Sequence, residues 1–231
     1  MAQKKLYRFA RIKTFSNVLE YPENMKGAWS GFFNNKNPII LELACGRGEY
    51  TTGLAALHPN LNIIGVDIKG NRMYVGAKKA LDNQLTNAAF LRTQIEKIND
   101  YFSPGEVSGM WITFPDPQLR TSKAKKRLTH PRFLRLYQQM LAPGSPVHLK
   151  TDSPQLYRFT KKVIELYGLN LVEDSDDVYA KQMVNDDLKI KTHYESLDIA
   201  QSKKIHYLQF ILPSVLPDID EQLKEMIAHD E

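Results

Sequence analysis

Glu42 lies inside an apolar run, Pro38-Ile39-Ile40-Leu41-Glu42-Leu43-Ala44. A carboxylate buried in such a run is costly without a partner. A cationic ligand is one candidate partner, and an ion pair with a nearby cation such as Arg47 is the other. The run ends on Cys45-Gly46-Arg47-Gly48-Glu49, where Gly46 and Gly48 let the backbone turn sharply and a ligand come close. Asp67 follows about 20 residues on, the spacing at which a carboxylate meets ribose hydroxyls. Two glycines and an acid so spaced suit a nucleotide-type ligand, dinucleotides included. They also suit a tight turn and a solvated acid. Asp116, set between Pro115 and Pro117, can accept hydrogen bonds from a ligand or merely cap a turn. Behind it come Arg120, Lys123, Lys125, Lys126 and Arg127, which can hold phosphates or form a solvated basic face. A second basic cluster, Lys4, Lys5, Arg8, Arg11 and Lys13, is interleaved with Tyr7, Phe9 and Phe15.

These acids need rigid carriers, and the pattern supplies them. Residues 38–44 read as a buried parallel strand. A helix over 50–57 follows, closed by His58-Pro59-Asn60. Residues 61–66 form a second strand ending on Asp67, 71–85 a helix, and 88–93 a third strand. A fourth strand over 109–114 stops at Pro115-Asp116-Pro117. The helix over 131–141 opens on a proline, and 147–150 is a fifth strand. The helix over 153–167 has Ser153 as its cap and Pro154 just inside. Residues 169–172 and 205–212 give a sixth and a seventh strand, the last of unread direction, and 219–227 have helical spacing. Strands alternating with helices predict an α/β fold: a doubly wound, seven-stranded, Rossmann-like sheet flanked by helices. Ligands bind such sheets outside the carboxyl ends of the strands, where Gly46, Asp67 and Asp116 all fall. The expected division is a basic N-terminal extension over 1–36 and one domain over 37–231.

Composition narrows the class. The chain has 231 residues, 42% hydrophobic and 25% charged, as in a soluble globular protein. Thirty-one Lys and Arg against 26 Asp and Glu leave +5, which permits a polyanionic partner without requiring one. The single cysteine, Cys45, excludes an internal disulfide framework and reads as a packed small residue. His58, His130, His148, His193, His206 and His229 show no metal-ligand spacing, so no metal is expected. No apolar run suits a signal peptide or a membrane span, so a cytoplasmic enzyme is expected, as monomer or homodimer.

The motifs then converge. Glu42-Leu43-Ala44-Cys45-Gly46-Arg47-Gly48, Gly65-Val66-Asp67, Phe114-Pro115-Asp116-Pro117, Lys150-Thr151-Asp152 and Thr192-His193-Tyr194-Glu195 stand in the order and approximate spacing of one family. Over residues 37–211 the chain resembles the bacterial tRNA (guanine-N7-)-methyltransferases. The resemblance implies S-adenosylmethionine as cofactor and tRNA as partner. It implies that Glu42 and Asp67 bind the cofactor with the Gly46–Gly48 turn, and that Asp116 sits at the junction of cofactor and base. It implies substrate contacts from Asp152 and from Thr192, His193, Tyr194 and Glu195, and a target guanine in the variable loop. The sequence departs from the family in three places. Ala44 replaces the first glycine of the turn, which a slightly wider turn would absorb. Gln94 replaces an Asp and can still hydrogen-bond the adenine. Gln118, Leu119, Arg120, Thr121, Ser122 and Lys123 replace the usual Trp and Lys-x-Arg-His pattern, with Arg120 keeping the charge of a substrate-binding Lys. Lys125, Lys126 and Arg127 remain as candidate RNA phosphate contacts.

The implied chemistry asks little of a base. Guanine N7 has a free lone pair and loses no proton on methylation, so the work is positioning. Asp116 suits that role, because it can accept from guanine N1–H and the exocyclic amine. Three other readings stand beside this one: a methyltransferase for another substrate, a dinucleotide-dependent oxidoreductase, and a non-catalytic RNA-binding protein of the same fold.

Overall fold

The computed structural model describes residues 2–180, 184–197 and 204–228. His229 lies outside the described residues. The chain opens with helix α1 (Ala2–Ile12), a short strand β1 (Val18–Glu20) and a helical turn α2 (Trp29–Phe33). Then come β2 (Ile39–Leu43), α3 (Glu49–Leu57), β3 (Asn62–Asp67), α4 (Gly70–Asp82) and β4 (Ala88–Arg92). The second half holds β5 (Val107–Thr113), α5 (Pro131–Gln138), β6 (Pro146–Thr151), α6 (Pro154–Leu166) and β7 (Asn170–Ser175). A short helix α7 (Asp186–Lys189), β8 (His206–Ile211) and α8 (Asp220–Ala228) complete it.

The strands form one sheet in the order β1-β4-β3-β2-β5-β6-β8-β7. It has eight strands where the sequence predicts seven. The extra strand is β1, three residues that pair in parallel with β4 and are too short to show a period. The direction left open by pattern is antiparallel: β8 runs against both β6 and β7.

Both sheet faces are covered, so successive strand residues enter different cores. In β5, Met110 and Ile112 join one apolar cluster while Trp111 joins the other. Leu54 of α3 and Met73 and Ala77 of α4 close the second cluster, with Ile12 of α1. Phe133 of α5, Phe159 of α6 and Leu223 of α8 close the first. Trp29 of α2 is fully buried in that first cluster and stacks on Phe102 at 5.2 Å. Proline opens α5 and α6, and Ser153 Oγ caps α6 by accepting from the Leu156 amide at 3.2 Å. No helix among the described residues is long and apolar enough to cross a membrane.

The chain leaves β2 toward β3 on one side and later returns to place β5 on the other. The strand order therefore reverses at β2, and the exits of β2 and β5 face a common crevice.

Candidate active site

A cleft of about 990 Å³ opens at that crevice. Ala44, Gly46 and Asp67 form one part of its wall; Gln94 and Ile95 after β4 form another. Phe114 to Leu119 after β5 and Asp152 to Gln155 after β6 complete the rim. The turn after β2 is left-handed at three positions, with φ of +57° at Ala44, +56° at Gly46 and +73° at Gly48. The turn is therefore not widened to absorb Ala44. Alanine itself adopts the strained conformation that a glycine would take freely. The Gly46 amide donates to Asp67 Oδ2 at 2.9 Å, and the Lys69 amide donates to Oδ1 at 2.8 Å. Asp67 thus locks the turn to the end of β3, and each oxygen keeps a lone pair for a ligand. Gly48 does not line the cleft. A Cβ there would sit 2.5 Å from the Phe90 ring and 3.2 Å from Gly76 Cα, so this glycine serves the packing of α3 on α4.

Glu42 also stands behind the wall rather than in it. It is 1% exposed, and neither candidate partner is needed. Its Oε2 accepts from the Thr51 amide at 2.7 Å and from the Thr51 hydroxyl, while Oε1 accepts from Thr113 Oγ1 at 2.6 Å. Arg47 pairs instead with Glu49 at 3.4 Å. Burial pushes the Glu42 carboxyl up to about 7 against these three hydrogen bonds, which pull it down. The side chain joins α3 to the last residue of β5, directly before the Asp116 loop. Cys45, next along the turn, is buried, and burial with nearby carboxylates pushes its thiol up.

That loop begins with Phe114 at φ +45°, an uncommon conformation for a bulky residue and one found at functional sites. Asp116 is exposed on the cleft rim. Its Oδ1 accepts from the Gln118 amide at 3.0 Å, so it does cap a turn. Its Oδ2 has no hydrogen-bond partner among the described residues. The basic run behind it divides by burial. Lys125 and Lys126 are exposed, and Lys126 lines the cleft. Arg127, expected at RNA phosphates with them, is 6% exposed and faces inward. Its guanidinium donates to the carbonyls of Pro117, Gln118 and Leu119 at 3.1–3.4 Å and lies 4.4 Å from the Phe159 ring. It clamps the loop that carries Asp116. Arg120 is exposed but outside the cleft lining, whereas Gln94 and Asp152 line it.

Of Thr192, His193, Tyr194 and Glu195, only Tyr194 lines the cleft. Its ring comes within 3.7 Å of where a Cβ on Gly46 would lie. Thr192 is buried and its Oγ1 accepts from the Glu195 amide at 3.1 Å, bending the segment; His193 is exposed. The Glu195 side chain is 5% exposed and pairs with Lys150 at 3.0 Å and with the Tyr179 hydroxyl. Sequence reasoning gave Lys150 no role of its own. This lysine is fully buried at the end of β6, and its ammonium also donates to the carbonyls of Leu188 and Ile190 at 2.8 and 2.9 Å. Burial pulls its pKa down while Glu195 holds it up. It pins residues 184–197 across the sheet and so delivers Tyr194 to the cleft. Arg72 of α4 was missed as well: it lines the cleft with its guanidinium 5.5 Å from the Tyr194 ring. A lysine closing an apolar strand was the available signal for Lys150; nothing in the pattern marks Arg72.

Comparison with known proteins decides the family. A profile of a methyltransferase family matches residues 36–208. A tRNA (guanine-N(7)-)-methyltransferase of Porphyromonas gingivalis is 48% identical over 211 residues, 86% of each chain. One of Bacteroides fragilis is 44% identical, covering 96% of this chain and 93% of its own. The chain belongs to the tRNA (guanine-N7-)-methyltransferase family. That membership removes the oxidoreductase alternative. Among solved structures, the 16S rRNA methyltransferase KamB superposes with a TM-score of 0.62 at 15% identity, over 85% of this chain and 99% of that one. A 30S ribosomal A1408 methyltransferase from an uncultured bacterium gives 0.60 at 19% identity, over 83% and 96%. At such identities these two share the fold alone.

Members of this family draw their methyl group from S-adenosylmethionine, and the wall chemistry fits that group. Gly46 presents backbone without a side chain, Asp67 offers acceptors beside it, and Gln94 with Ile68 and Ile95 offers an amide between apolar surfaces. The volume lies at the upper end of small-molecule sites, with room for a base beside the cofactor.

Proposed function

We propose that this protein transfers the methyl group of S-adenosylmethionine to N7 of a guanine in the variable loop of tRNA. The identities of 44–48% to tRNA (guanine-N(7)-)-methyltransferases, over 86–96% of the chain, support the tRNA guanine-N7 part of this reading; the variable loop is what the motifs' resemblance implies. Work on tRNA would place it in the cytoplasm. Residues 37–231 would form the methyltransferase domain. The basic segment over 1–36, which has no acid before Glu20, would add contacts to RNA.

S-adenosylmethionine supplies an electrophilic methyl on a sulfonium. Bound in the cleft, it would give that methyl to N7 with loss of the sulfur–carbon bond, which would leave the positive charge on the purine and release no proton. The chain's residues therefore position and neutralise. Asp67 orients the ribose and Gln94 the adenine. Asp116 accepts from guanine N1–H and the amino group, which turns N7 toward the methyl and offsets the charge the purine gains. The reacting atoms must be held about 3–3.5 Å apart, which is why the loop is clamped. Asp152 and Tyr194 line the base side.

Asp116→Asn tests this directly. The amide keeps the shape but can set a donor against guanine's donors. Single-turnover methyl transfer at saturating cofactor should fall roughly ten- to a thousandfold, with cofactor affinity little changed. A variant that methylates tRNA guanine at near wild-type rate removes Asp116 from the mechanism.

A further inference from the structure

Arg92 is the last residue of β4 and stands behind the cleft rather than in its wall. Its Nε donates to the carbonyl of Ile68 at 3.1 Å, and its Nη1 donates to Glu20 of β1 at 2.5 Å. The guanidinium also lies 5.2 Å from the Phe9 ring of α1 and 5.4 Å from the ring of Tyr21, next after β1. Ile68 does line the cleft, between Asp67 and Lys69, and is 41% exposed. Its carbonyl accepts again from the Gly70 amide at 3.2 Å, and the Thr93 amide, next after Arg92, donates to the Asp67 carbonyl at 3.1 Å. The start of α4 is packed as closely. A Cβ on Gly70 would sit 3.1 Å from Arg92 Cδ and 3.5 Å from the Phe9 ring. One side chain thus joins the loop after β3 to both α1 and β1.

We propose that Arg92 is a positioning residue for the cofactor, fixing the Ile68 wall of the adenosine site against the N-terminal segment. This deepens the reading above and rests on the adenosine lying between Asp67 and Gln94. Ligand-binding loops belong to the less stable parts of a fold unless something ties them down. The Ile68–Lys69 peptide sets where the Ile68 side chain points and where the Lys69 amide meets Asp67 Oδ1. Turning that peptide would shift the apolar surface for the base and loosen the acceptor for the ribose together. A guanidinium suits the task, because its planar donors reach a carbonyl and a carboxylate at once, whereas an ammonium donates from one atom. With the loop held beforehand, the cofactor loses less affinity to ordering it. The Asp116 end of the cleft, where the methyl is transferred, takes no part in these contacts. Arg92 therefore acts on cofactor affinity and not on the chemical step. Through Phe9, Glu20 and Tyr21, the N-terminal segment serves the cofactor site as well as any RNA it touches.

Arg92→Lys tests this in the full chain. It keeps a cation beside Glu20 and the rings but cannot span Glu20 and the Ile68 carbonyl together. Calorimetry with S-adenosylmethionine is set beside amide hydrogen exchange and single-turnover rates. Affinity should fall roughly five- to tenfold. Exchange should quicken at the Lys69 and Gly70 amides alone, while the rate at saturating cofactor and the tRNA affinity hold. Glu20→Gln, which loosens the anchor from its other end, should lower cofactor affinity about two- to threefold. Unchanged affinity in folded Arg92→Lys overturns the proposal. So does faster exchange across the whole sheet, which marks a residue of general stability. A loss in Arg92→Lys with none in Glu20→Gln removes the N-terminal segment from the role. If Arg92→Lys does not fold, Glu20→Gln decides by the same readouts. Asp67→Ala separates this failure from that of the adenosine placement. Wild-type affinity in folded Asp67→Ala refutes the placement; weakened binding there beside wild-type binding in Arg92→Lys refutes only the brace.

Discussion

Glu42→Gln should make the protein more stable at neutral and alkaline pH and change little in acid. The carboxyl is fully buried among Thr51, Thr113 and apolar neighbours, and burial raises its folded pKa to about 7 from an ordinary 4.5. Folding therefore favours the protonated acid. The stability this confers is complete below pH 4.5 and is lost as pH rises through 7, because the ionised group must then be kept out of water. Ionisation costs about 3 kcal/mol over that interval, at ~1.36 kcal/mol per tenfold change. Glutamine can replace the bonds, with Oε1 accepting from the Thr51 amide and Nε2 donating to Thr113 Oγ1, and it never ionises. The difference in unfolding free energy between variant and wild type should open from near zero at pH 4 to about 3 kcal/mol at pH 8. For a chain of this length that is roughly 6–12 °C in Tm. Thermal unfolding of both proteins from pH 4 to 9 measures it. Parallel stability curves would refute the reasoning and mean that Glu42 is ionised throughout, held by its hydrogen bonds.

Ala44→Gly should raise stability by about 0.5–1 kcal/mol, since relief of a left-handed alanine exceeds the entropy a glycine adds to the unfolded chain; denaturant titration reads it, and a loss would show that the methyl's packing matters more. Lys150→Met should cost about 3–5 kcal/mol by stranding the buried Glu195 carboxylate and two carbonyls. Proteolysis should then cut residues 184–197 fastest, and a protected segment would argue that Lys150 is not the pin. Removing Lys125 and Lys126 should lower the salt slope of tRNA binding with cofactor affinity unchanged, whereas Arg127→Gln should also lower the maximal rate by loosening the Asp116 loop. Equal effects from all three would restore the run to a uniform phosphate face.

The elements carrying the site were legible because each is signalled twice, by its apolar period and by its ends. Residues 39–43 lie between a proline and a glycine turn, and Pro154 with Ser153 announces α6 whatever follows. The N-terminal third was not. Helix α1 has an apolar side, but that side leaves Leu6 exposed and only Ile12 fully buried, so it does not announce what it packs on, and β1 pairs only at the edge that β4 offers. In the site, sequence found the residues but not their directions. A carboxylate in an apolar strand says that a partner is needed, and two threonine hydroxyls satisfy that need as well as a cation does. Their positions, nine and 71 residues away, carry no local signal.

Direction matters most for the charged residues, because the same motif letters serve a wall and the struts behind it. Glu195 and Tyr194 are consecutive, so in an extended or turning backbone they cannot both face the cleft. Burying Glu195 against Lys150 is what turns Tyr194 toward Gly46. Arg127 follows the same logic. Lys125 and Lys126 are exposed on the last residues of a 3₁₀ turn, and the chain then straightens at Arg127, whose ψ of 132° swings the guanidinium under the loop. A basic run read as one electrostatic patch thus holds two functions separated by a single backbone angle. The outward lysines can act only through charge, which other cations could supply. Arg127 acts through planar donors spaced to meet successive carbonyls, a geometry that a lysine cannot copy.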